Sequence, residues 1–275
     1  MEWTAAYFKK RGITTARLDA EVLLAFCLSV DRLFLYLNLD RPLLASERAL
    51  YRELVRRRAA REPVSLIIGR KEFWSLSFKV VSRVLIPRPD TEILVESVLE
   101  EIRSVDNPRI LEIGTGSGAV SIVLAKEKSP SEILATDVNL LALKTATENA
   151  VSLGQTSIAF FASNLFDAIK PERIFDVICS NPPYIPSSTI PTLDPEINFE
   201  PFVALDGGPD GLDVIRAIAS GAKDFLKPGG ALILEIGPEQ EQEARILFEK
   251  AGFSEIVVIP DLSGKPRVIK GRLQK

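Results

Sequence analysis

Four consecutive residues near the middle of the chain have types and an order suited to binding a small planar group: Asn181, Pro182, Pro183 and Tyr184. The side-chain oxygen of Asn181 and the carbonyl of Pro182 can accept the two N–H bonds of an –NH₂ group. Proline has a fixed φ and no N–H, so no competing donor lies beside these acceptors. The Tyr184 ring can pack on the flat face of an amide or a base. This order of residues indicates chemistry at a planar nitrogen.

A glycine-rich turn, "GTGSG", comprises Gly114, Thr115, Gly116, Ser117 and Gly118. It follows the apolar run "RILEI" and precedes a helical pattern, so it joins a predicted strand to a predicted helix. Glycine lets a ligand approach the backbone closely. The unpaired N–H groups at the start of the helix suit a carboxylate or a phosphate. The turn by itself fits a dinucleotide site as well as a methyl-donor site.

An acidic residue, Asp137, ends the next predicted strand, "EILATD". A carboxylate at this place can accept both ribose hydroxyls of an adenosine, which NAD and S-adenosylmethionine both contain. Alternatively, Asp137 is the N-cap of the helix that follows, and it could serve in both ways. The spacing predicts an adenosine site without choosing between the two cofactors.

The stretch from Asn181 to Tyr184 favours one of them. It follows the fourth predicted strand, "IFDVICS", and therefore lies at the carboxyl edge where open α/β sheets bind their ligands. A hydride-transfer enzyme has no use for two acceptors there, whereas a methyltransferase acting on a planar nitrogen does. We therefore predict an S-adenosylmethionine-dependent methyltransferase.

The elements that must position these residues follow a regular order. From about residue 108, strands alternate with helices, which predicts a mostly parallel sheet covered on both faces. The last two strands are joined only by "DLSGKP", which is too short for a parallel crossover, so we expect them to pair antiparallel. The expected fold class is α/β: a seven-stranded, mostly parallel, Rossmann-like methyltransferase sheet with an antiparallel last strand, plus a small helical N-terminal domain.

The predicted boundaries divide the 275 residues into three parts. Residues 1–72 form a helical domain that recognises the substrate, residues 73–87 a β-hairpin linker, and residues 88–275 the S-adenosylmethionine-dependent methyltransferase domain. In the first part, "SERALYRELVRRRAAREP" predicts a helix with Ser46 as its N-cap. Its run of arginines is interpreted either as a solvated helix face or as a contact with RNA or an RNA-bound partner; the run comprises Arg56, Arg57, Arg58 and Arg61.

Composition limits the chemistry. The chain has no histidine and two cysteines, so His-based triads, His-ligated metals and zinc clusters are not expected. Its net charge of −3 disfavours a protein whose main role is to bind phosphate backbones. No apolar stretch reaches the roughly 18–20 residues needed to span a bilayer, and no secretory signal precedes the helices. We expect a soluble, cytoplasmic protein that acts as a monomer.

Beyond these motifs, the chain resembles a known family. The pairing of "GTGSG" with "NPPY" is similar to class I methyltransferases that act on exocyclic or amide nitrogens. The segments "LIPRPDTE", "FEPFVALDGGPDGLD" and "DLSGKPRVIKGR" resemble the protein-(glutamine-N5) methyltransferases of peptide chain release factors. The resemblance covers residues 60–275, and the helical N-terminus more loosely. It implies methylation of the glutamine in the release factor's Gly-Gly-Gln loop, in support of translation termination.

The resemblance also implies roles for individual residues. The five residues of "GTGSG" would line the methionine part of S-adenosylmethionine, and Asp137 would bind its ribose. Asn164 and Leu165 would lie beside the adenine, where the family more often has Asp followed by Trp or another residue. The four residues from Asn181 to Tyr184 would hold the substrate glutamine, with Asn181 also next to the cofactor. Arg88 and Pro89 would shape the entrance, although Arg88 is equally interpretable as a structural salt bridge to the region of Asp90 or Glu92.

Other functions share part of this pattern. An adenine-N6 methyltransferase on DNA or RNA would use the same site chemistry, but the acidic composition and the lack of an inserted recognition segment argue against specific nucleic-acid binding. Glutamine methylation of a ribosomal protein is a nearer alternative. A methyltransferase-like fold kept as a binding module is a third, and the intact motifs argue against it. No metal is expected.

Overall fold

The computed structural model describes residues 1–129 and 131–274, which its contacts divide into two units. The first unit contains Met1–Arg70 and a short separate segment, Asp194–Phe199. The second contains Lys71–Leu193 and Glu200–Lys275. The segment that follows the four residues Asn181 to Tyr184 therefore belongs in part to the first unit.

The first unit is helical. Its helices are α1 (Glu2–Lys10), α2 (Ala16–Leu28), α3 (Arg32–Leu37), α4 (Ala45–Ala59) and α5 (Val64–Ile68). Apolar side chains from these helices, including Phe8, Leu23 and Leu54, form a core of their own. The predicted N-cap of α4 was wrong by two positions: Leu44 is the cap, and the Glu47 side chain accepts a hydrogen bond from its N–H at 2.8 Å.

Two of the arginines at the end of α4, Arg58 and Arg61, pair with acidic side chains, whereas Arg56 lies on the exposed face of the helix. Arg58 is buried and donates to Asp19 at 2.7 Å and to Glu196 at 2.8 Å. Arg61 donates to the same Glu196 carboxylate at 2.7 and 3.0 Å. Hydrogen bonds from the two arginines lower the pKa of Glu196 against the effect of burial. These side chains hold the helical unit together, so the run needs no RNA partner to explain it.

The second unit begins with a hairpin and then alternates strands and helices. Its elements are β1 (Arg70–Phe73), β2 (Leu76–Lys79), α6 (Glu92–Glu101), β3 (Arg109–Ile113), α7 (Ala119–Glu127), β4 (Glu132–Asp137), α8 (Leu140–Ser152), β5 (Ala159–Ala162), β6 (Phe175–Ser180), α9 (Asp213–Ala222), β7 (Leu226–Glu235), α10 (Glu241–Lys250), β8 (Phe253–Pro260) and β9 (Pro266–Leu273). The hairpin begins at Arg70 and ends at Lys79, so residues 80–87 of the expected linker contain no strand. Across residues 1–129 and 131–274, every helix is too short or too polar to pass through a bilayer.

Within the described residues, seven strands form one sheet in the order β5-β4-β3-β6-β7-β9-β8. The pairs from β5 to β7 are parallel, while β9 is antiparallel to both of its neighbours, β7 and β8. The predicted fold class, including the antiparallel last strand, is confirmed. The chain runs from β3 outward to β5 and then returns to β6 on the other side of β3. This reversal creates the crevice at the carboxyl edge where such sheets bind ligands.

Apolar side chains cover both faces of the sheet. Successive strand residues point to opposite faces, and the central strands are apolar at nearly every position. Thus Ile110, Val177 and Ile233 belong to one buried cluster. Their neighbours along the strands, Leu111, Ile178 and others, belong to a second. Two buried faces explain why β3, β6 and β7 show continuous rather than alternating hydrophobicity, and they hold the carboxyl ends of these strands rigidly side by side.

Candidate active site

The carboxyl ends of the central strands meet at one edge. In the parallel register, Ile113 of β3 pairs with Thr136 of β4 and with Ser180 of β6, and Ser180 pairs with Leu234 of β7. A cavity opens just beyond this edge. It is lined by Val84, Leu85, Ile113, Gly114, Gly116, Asp137, Val138, Asn139, Ala142, Ser163, Asn164, Leu165, Ser180, Asn181, Pro182, Pro183, Pro201, Val203, Ala204 and Val214. The register therefore gathers most of the predicted site residues around one space.

The glycine-rich turn presents bare backbone to this cavity. Gly114 and Gly116 line it, whereas Thr115, Ser117 and Gly118 do not. Gly116 has φ of +57°, in the left-handed region that favours glycine. Gly118 has φ of +82°, and a Cβ there would lie 3.0 Å from the Cβ of Ala146, so the turn packs closely against α8. Two of the five residues face the cavity, and the others shape the turn.

A buried glutamate in β3 holds the glycine-rich turn by hydrogen bonds. Glu112 is the penultimate residue of β3, and its carboxylate accepts hydrogen bonds from Thr115 Oγ1 at 2.7 Å and Ser121 N at 3.2 Å. It thereby ties the turn to the first residues of α7. Burial raises the pKa of Glu112 to about 7, against the lowering effect of these hydrogen bonds. The role of Thr115 is thus to fix the turn through Glu112.

Asp137 lies where the sequence predicts it, at the end of β4 and on the cavity wall. Its Oδ2 accepts the Gly116 N–H at 2.8 Å, and its Oδ1 accepts the Asn139 N–H at 2.8 Å. Burial raises the pKa of Asp137, and these backbone hydrogen bonds oppose the shift. The alternative that Asp137 caps α8 is wrong, because the cap is Asn139, whose side chain accepts from Leu141 N at 2.9 Å. Asp137 is therefore free of a capping role and is tied to the glycine turn.

Asn164 and Leu165 also line the cavity. The Asn164 side-chain amide nitrogen donates to Asp167 at 3.2 Å, so this bond engages the nitrogen rather than the oxygen of the amide. Leu165 has φ of +50°. With Val138 it gives this end of the cavity an apolar wall. The wall suits a flat heteroaromatic ring, although an aliphatic side chain provides contact rather than aromatic stacking.

Asn181, Pro182 and Pro183 contribute to the same wall. The Asn181 amide nitrogen donates to the Thr91 hydroxyl at 3.0 Å, so its oxygen is turned away from that bond. Ser180, immediately before it, is buried, and its hydroxyl donates to the Ile113 carbonyl at 2.6 Å. The planar-group acceptors predicted from the sequence therefore stand directly across the β3–β6 junction from the glycine turn.

Tyr184 is held by hydrogen bonds to Glu235 and Gln240, outside the cavity. It does not line the cavity; its hydroxyl donates to Glu235 Oε1 at 3.1 Å. Its carbonyl accepts from Gln240 Nε2 at 2.9 Å, and Gln240 also donates to the Gly211 carbonyl at 3.1 Å. Burial, followed by the nearby Glu235 charge, raises the pKa of Tyr184 well above its ordinary value. The tyrosine is thus a permanent hydrogen-bond donor with a fixed ring.

Arg88 and Pro89 do not line the cavity. Arg88 donates to Glu200 at 2.6 Å, so its salt bridge is real but its partner is Glu200 rather than Asp90 or Glu92. Pro89 opens the short 3₁₀ turn Pro89–Thr91, which carries Thr91 to Asn181. The role of these two residues at the entrance stays a prediction.

Several site residues escaped the sequence reasoning. Glu112 and Glu235 lie at or next to the carboxyl end of a buried apolar strand, in the stretches "RILEI" and "GALILEI", and an acid in that position is itself a signal. Thr91 gave no such signal, because its partner Asn181 is 90 residues away. The cavity wall formed by Val203 and Ala204 comes from the short 3₁₀ turn Phe202–Ala204, which is too short for hydrophobic periodicity to predict.

The fold has solved counterparts. A methyltransferase from Pyrococcus furiosus superposes with a TM-score of 0.54 at 18% identity, covering 74% of this chain and 92% of that one. A T. thermophilus 16S rRNA methyltransferase in complex with AdoMet and guanosine gives a TM-score of 0.55 at 19% identity, with 74% and 50% covered. At these identities the likeness shows the fold alone.

Sequence comparison is more specific. A family model described as the PrmC N-terminal domain matches residues 1–69, and one described as the methyltransferase small domain matches residues 89–192. The release factor glutamine methyltransferase of Geobacter sulfurreducens is 40% identical over 274 residues, covering 99% of this chain and 95% of that protein. Its namesake from Rhodopirellula baltica is 39% identical over 276 residues, covering 98% and 93%. Agreement over nearly the whole length, together with the site geometry, shows that the chain belongs to the release factor glutamine methyltransferase family.

Proposed function

We propose that this chain transfers a methyl group from S-adenosylmethionine to the side-chain amide nitrogen of a glutamine, in the Gly-Gly-Gln loop of a peptide chain release factor. The observation that carries the proposal is the position of Asn181 and Pro182 in one cavity with Gly114 and Gly116. A cofactor turn and a pair of amide acceptors within one space suit transfer between two bound molecules. The names of the full-length relatives supply the substrate class.

The residues present fit the methyl donor. Each Asp137 oxygen accepts one backbone N–H and keeps a lone pair for a ribose hydroxyl. Gly114 and Gly116 leave room for the methionine part against the backbone, and Val138 with Leu165 offers an apolar surface to the adenine. When bound, S-adenosylmethionine supplies an electrophilic methyl group on a sulfonium.

The chain's own contribution is to bind and orient the acceptor. An amide nitrogen is a poor nucleophile because its lone pair is delocalised into the carbonyl, and no histidine is present to act as a base. Asn181 Oδ1 and the Pro182 carbonyl accept the two amide hydrogens and so fix the direction of the nitrogen. These hydrogen bonds strengthen as positive charge develops on nitrogen, which favours the transition state over the ground state. The proton leaves afterwards, to water or a neighbouring acceptor.

The helical unit is proposed to recognise the protein substrate. A glutamine in a loop offers little surface for discrimination, so specificity requires contacts elsewhere on the release factor. Helices α1 to α5 form a separate core and contribute none of the residues lining the cavity. We expect the protein to act as a monomer in the cytoplasm, where release factors work.

Methyl transfer from labelled S-adenosylmethionine tests the proposal. The substrates are purified release factor, its Gln-to-Ala loop variant, ribosomes, DNA and RNA, with mass spectrometry of the products. Label on the release-factor glutamine, absent from the loop variant, is the expected result. Label on ribosomal protein or on nucleic acid would replace the substrate assignment, and donor binding with no transfer to any of them would indicate a binding module.

The same assay tests the role of Asn181. Asn181→Ala removes the side-chain acceptor while the Pro182 carbonyl remains. We expect kcat/KM to fall at least about 100-fold, as when one transition-state hydrogen bond is lost elsewhere. Affinity for S-adenosylmethionine, measured by calorimetry, should change far less. Near-normal turnover in this variant would exclude the proposed role.

A further inference from the structure

We infer that Thr91 and Glu235 are positioning residues that decide which side of the Asn181 amide, oxygen or nitrogen, faces the cavity. The inference deepens the proposed function and rests on it, because an amide substrate needs the oxygen of Asn181 as an acceptor. Neither residue lines the cavity, so each acts through Asn181 or Tyr184.

Four side chains form a chain of hydrogen bonds in the order Asn181, Thr91, Glu235 and Tyr184. Asn181 Nδ2 lies 3.0 Å from Thr91 Oγ1, and Thr91 Oγ1 lies 2.8 Å from Glu235 Oε2. The other carboxylate oxygen, Glu235 Oε1, lies 3.1 Å from the Tyr184 hydroxyl. Thr91 and Glu235 are both buried, at 5% and 0% exposure, so water does not replace these partners. We call these four side chains the relay.

The direction of each bond follows from the number of protons. A hydroxyl carries one proton, so when Thr91 accepts from Asn181 it must donate to Glu235. Tyr184 donates to the second carboxylate oxygen. Glu235 therefore accepts on both oxygens, as an ionised carboxylate does. In this state the Asn181 nitrogen is held by Thr91 and its oxygen is left for a substrate.

Protonation of Glu235 reverses the direction of the hydrogen bonds along the relay. A carboxyl proton on Oε2 would be donated to Thr91, and the Thr91 proton would then turn toward Asn181. Asn181 could receive it only through its oxygen, so the amide would rotate and present its –NH₂ group to the cavity. Two –NH₂ groups facing each other cannot hydrogen-bond, and the substrate amide would lose an acceptor. The ionised form is thus the active form.

The surroundings of Glu235 raise its pKa, so that this protonation occurs within the pH range used for enzyme assays. Burial raises the pKa of Glu235 to about 7, opposed by the hydrogen bonds from Thr91 and Tyr184 and by the Arg267 charge. Asp90 raises it further, although Asp90 itself pairs with Arg267 at 3.0 Å. Turnover should therefore rise with pH, reach half of its full value near about pH 7 and become full well above that value.

The first test changes the middle of the relay. Thr91→Val keeps the shape but removes the hydroxyl, and we expect kcat on release factor to fall at least about tenfold with donor affinity changed less than about twofold. Thr91→Ser restores the hydroxyl and should recover most of the loss. The matched control is Thr145→Val in α8, a buried threonine whose hydroxyl donates only to the Leu141 carbonyl. Equal kcat values for Thr91→Val and Thr145→Val would overturn the inference.

The second test fixes the direction of the relay. Glu235→Gln places an –NH₂ donor beside Thr91 and mimics the protonated state. We expect low turnover and no acid limb between about pH 6 and about pH 9, where the wild type rises. Glu101→Gln is the control, since the Glu101 side chain is 6% exposed and pairs with Lys270 and Arg272. An acid limb that survives in Glu235→Gln would contradict the inference.

A third measurement does not depend on the substrate. The side-chain amide signals of Asn181, assigned by comparison with Asn181→Asp in ¹H–¹⁵N spectra, should shift with pH around about 7 in the wild type and not in Glu235→Gln. If the wild type fails to methylate release factor, the proposed function fails and these spectra still judge the relay. Signals that do not titrate, or that titrate equally in Glu235→Gln, would exclude it.

Discussion

The Oδ2 atom of Asp137 accepts the backbone N–H of Gly116 at 2.8 Å, so the acid that ends β4 holds the glycine turn that follows β3. One carboxylate therefore has two functions in the proposed site. It keeps the turn in its open shape before a ligand arrives, and its remaining lone pairs face the cavity.

Replacing this carboxylate should weaken donor binding more than loss of the ribose contact alone. For Asp137→Ala we expect the dissociation constant for S-adenosylmethionine to rise at least about 100-fold, because hydrogen bonds to a charged group contribute strongly and the turn is released as well. Asp137→Asn keeps one acceptor and should lie between this variant and the wild type. Calorimetric titration measures both. Equal affinities in all three proteins would remove Asp137 from the binding site.

Gly211 is expected to be as necessary as the glycines of the turn. It has φ of +76°, and a Cβ there would overlap the Tyr184 carbonyl oxygen. Gly211→Ala should therefore displace Tyr184 and lower both turnover and the free energy of unfolding. Gly154→Ala is the matched control, since Gly154 has φ of +72° with no atom within 4 Å of the added Cβ. Both variants carry the backbone strain, at about 1 kcal/mol. Only Gly211→Ala should also impair turnover, because only it displaces Tyr184. Urea unfolding measures the loss of stability, and steady-state kinetics measure the loss of turnover.

Stability should depend on pH through Glu112. Its pKa rises from 4.5 to about 7 in the folded protein, so the folded state binds this proton more tightly than the unfolded state. The stabilisation is fully present below the ordinary pKa and is lost as the pH rises through about 7. Between about pH 5 and about pH 8, the unfolding free energy of the wild type should fall by roughly 1–3 kcal/mol more than that of Glu112→Gln. Parallel pH profiles in urea would contradict this.

Arg58 should be the most sensitive arginine of its helix. Its side chain is 6% exposed and joins Asp19 to Glu196, so Arg58→Met leaves two acids without their shared partner. We expect a loss of roughly 2–4 kcal/mol of unfolding free energy. Arg56→Met, which breaks an exposed pair with Glu53 on the same helix, should leave the urea midpoint nearly unchanged. Similar midpoints for the two variants would show that the buried pair is not stabilising.

How far the sequence predicts this site depends on the distance over which each signal acts. The glycine turn, Asp137 and the stretch from Asn181 to Tyr184 each follow directly after a strand, so local order places them at one edge. Asp137 failed as a helix cap because Asn139, two residues later, is the residue whose side chain reaches the free N–H of Leu141. Local reasoning located the strand end but could not rank neighbouring polar residues.

The supporting residues depend on contacts between distant segments. Thr91 and Glu235 are separated by 144 residues and meet only because the 3₁₀ turn before α6 lies against the carboxyl end of β7 in the folded protein. Arg88 finds Glu200, 112 residues away, rather than the acids beside it in sequence. Such pairings require the strand order, which alternation alone does not give. The positions of the candidate site motifs were therefore predictable, whereas the side chains that hold them were not.

The short segment Asp194–Phe199 has a consequence for gene architecture. Because its Glu196 is a partner of Arg58 and Arg61, the helical unit is encoded by two stretches that are far apart in the gene. A hybrid enzyme built by exchanging only the first 70 residues between relatives would join arginines of one lineage to a hexapeptide of another. Recombination that respects the fold must transfer both pieces, so we expect the sequence of this hexapeptide to follow the ancestry of the N-terminal helices.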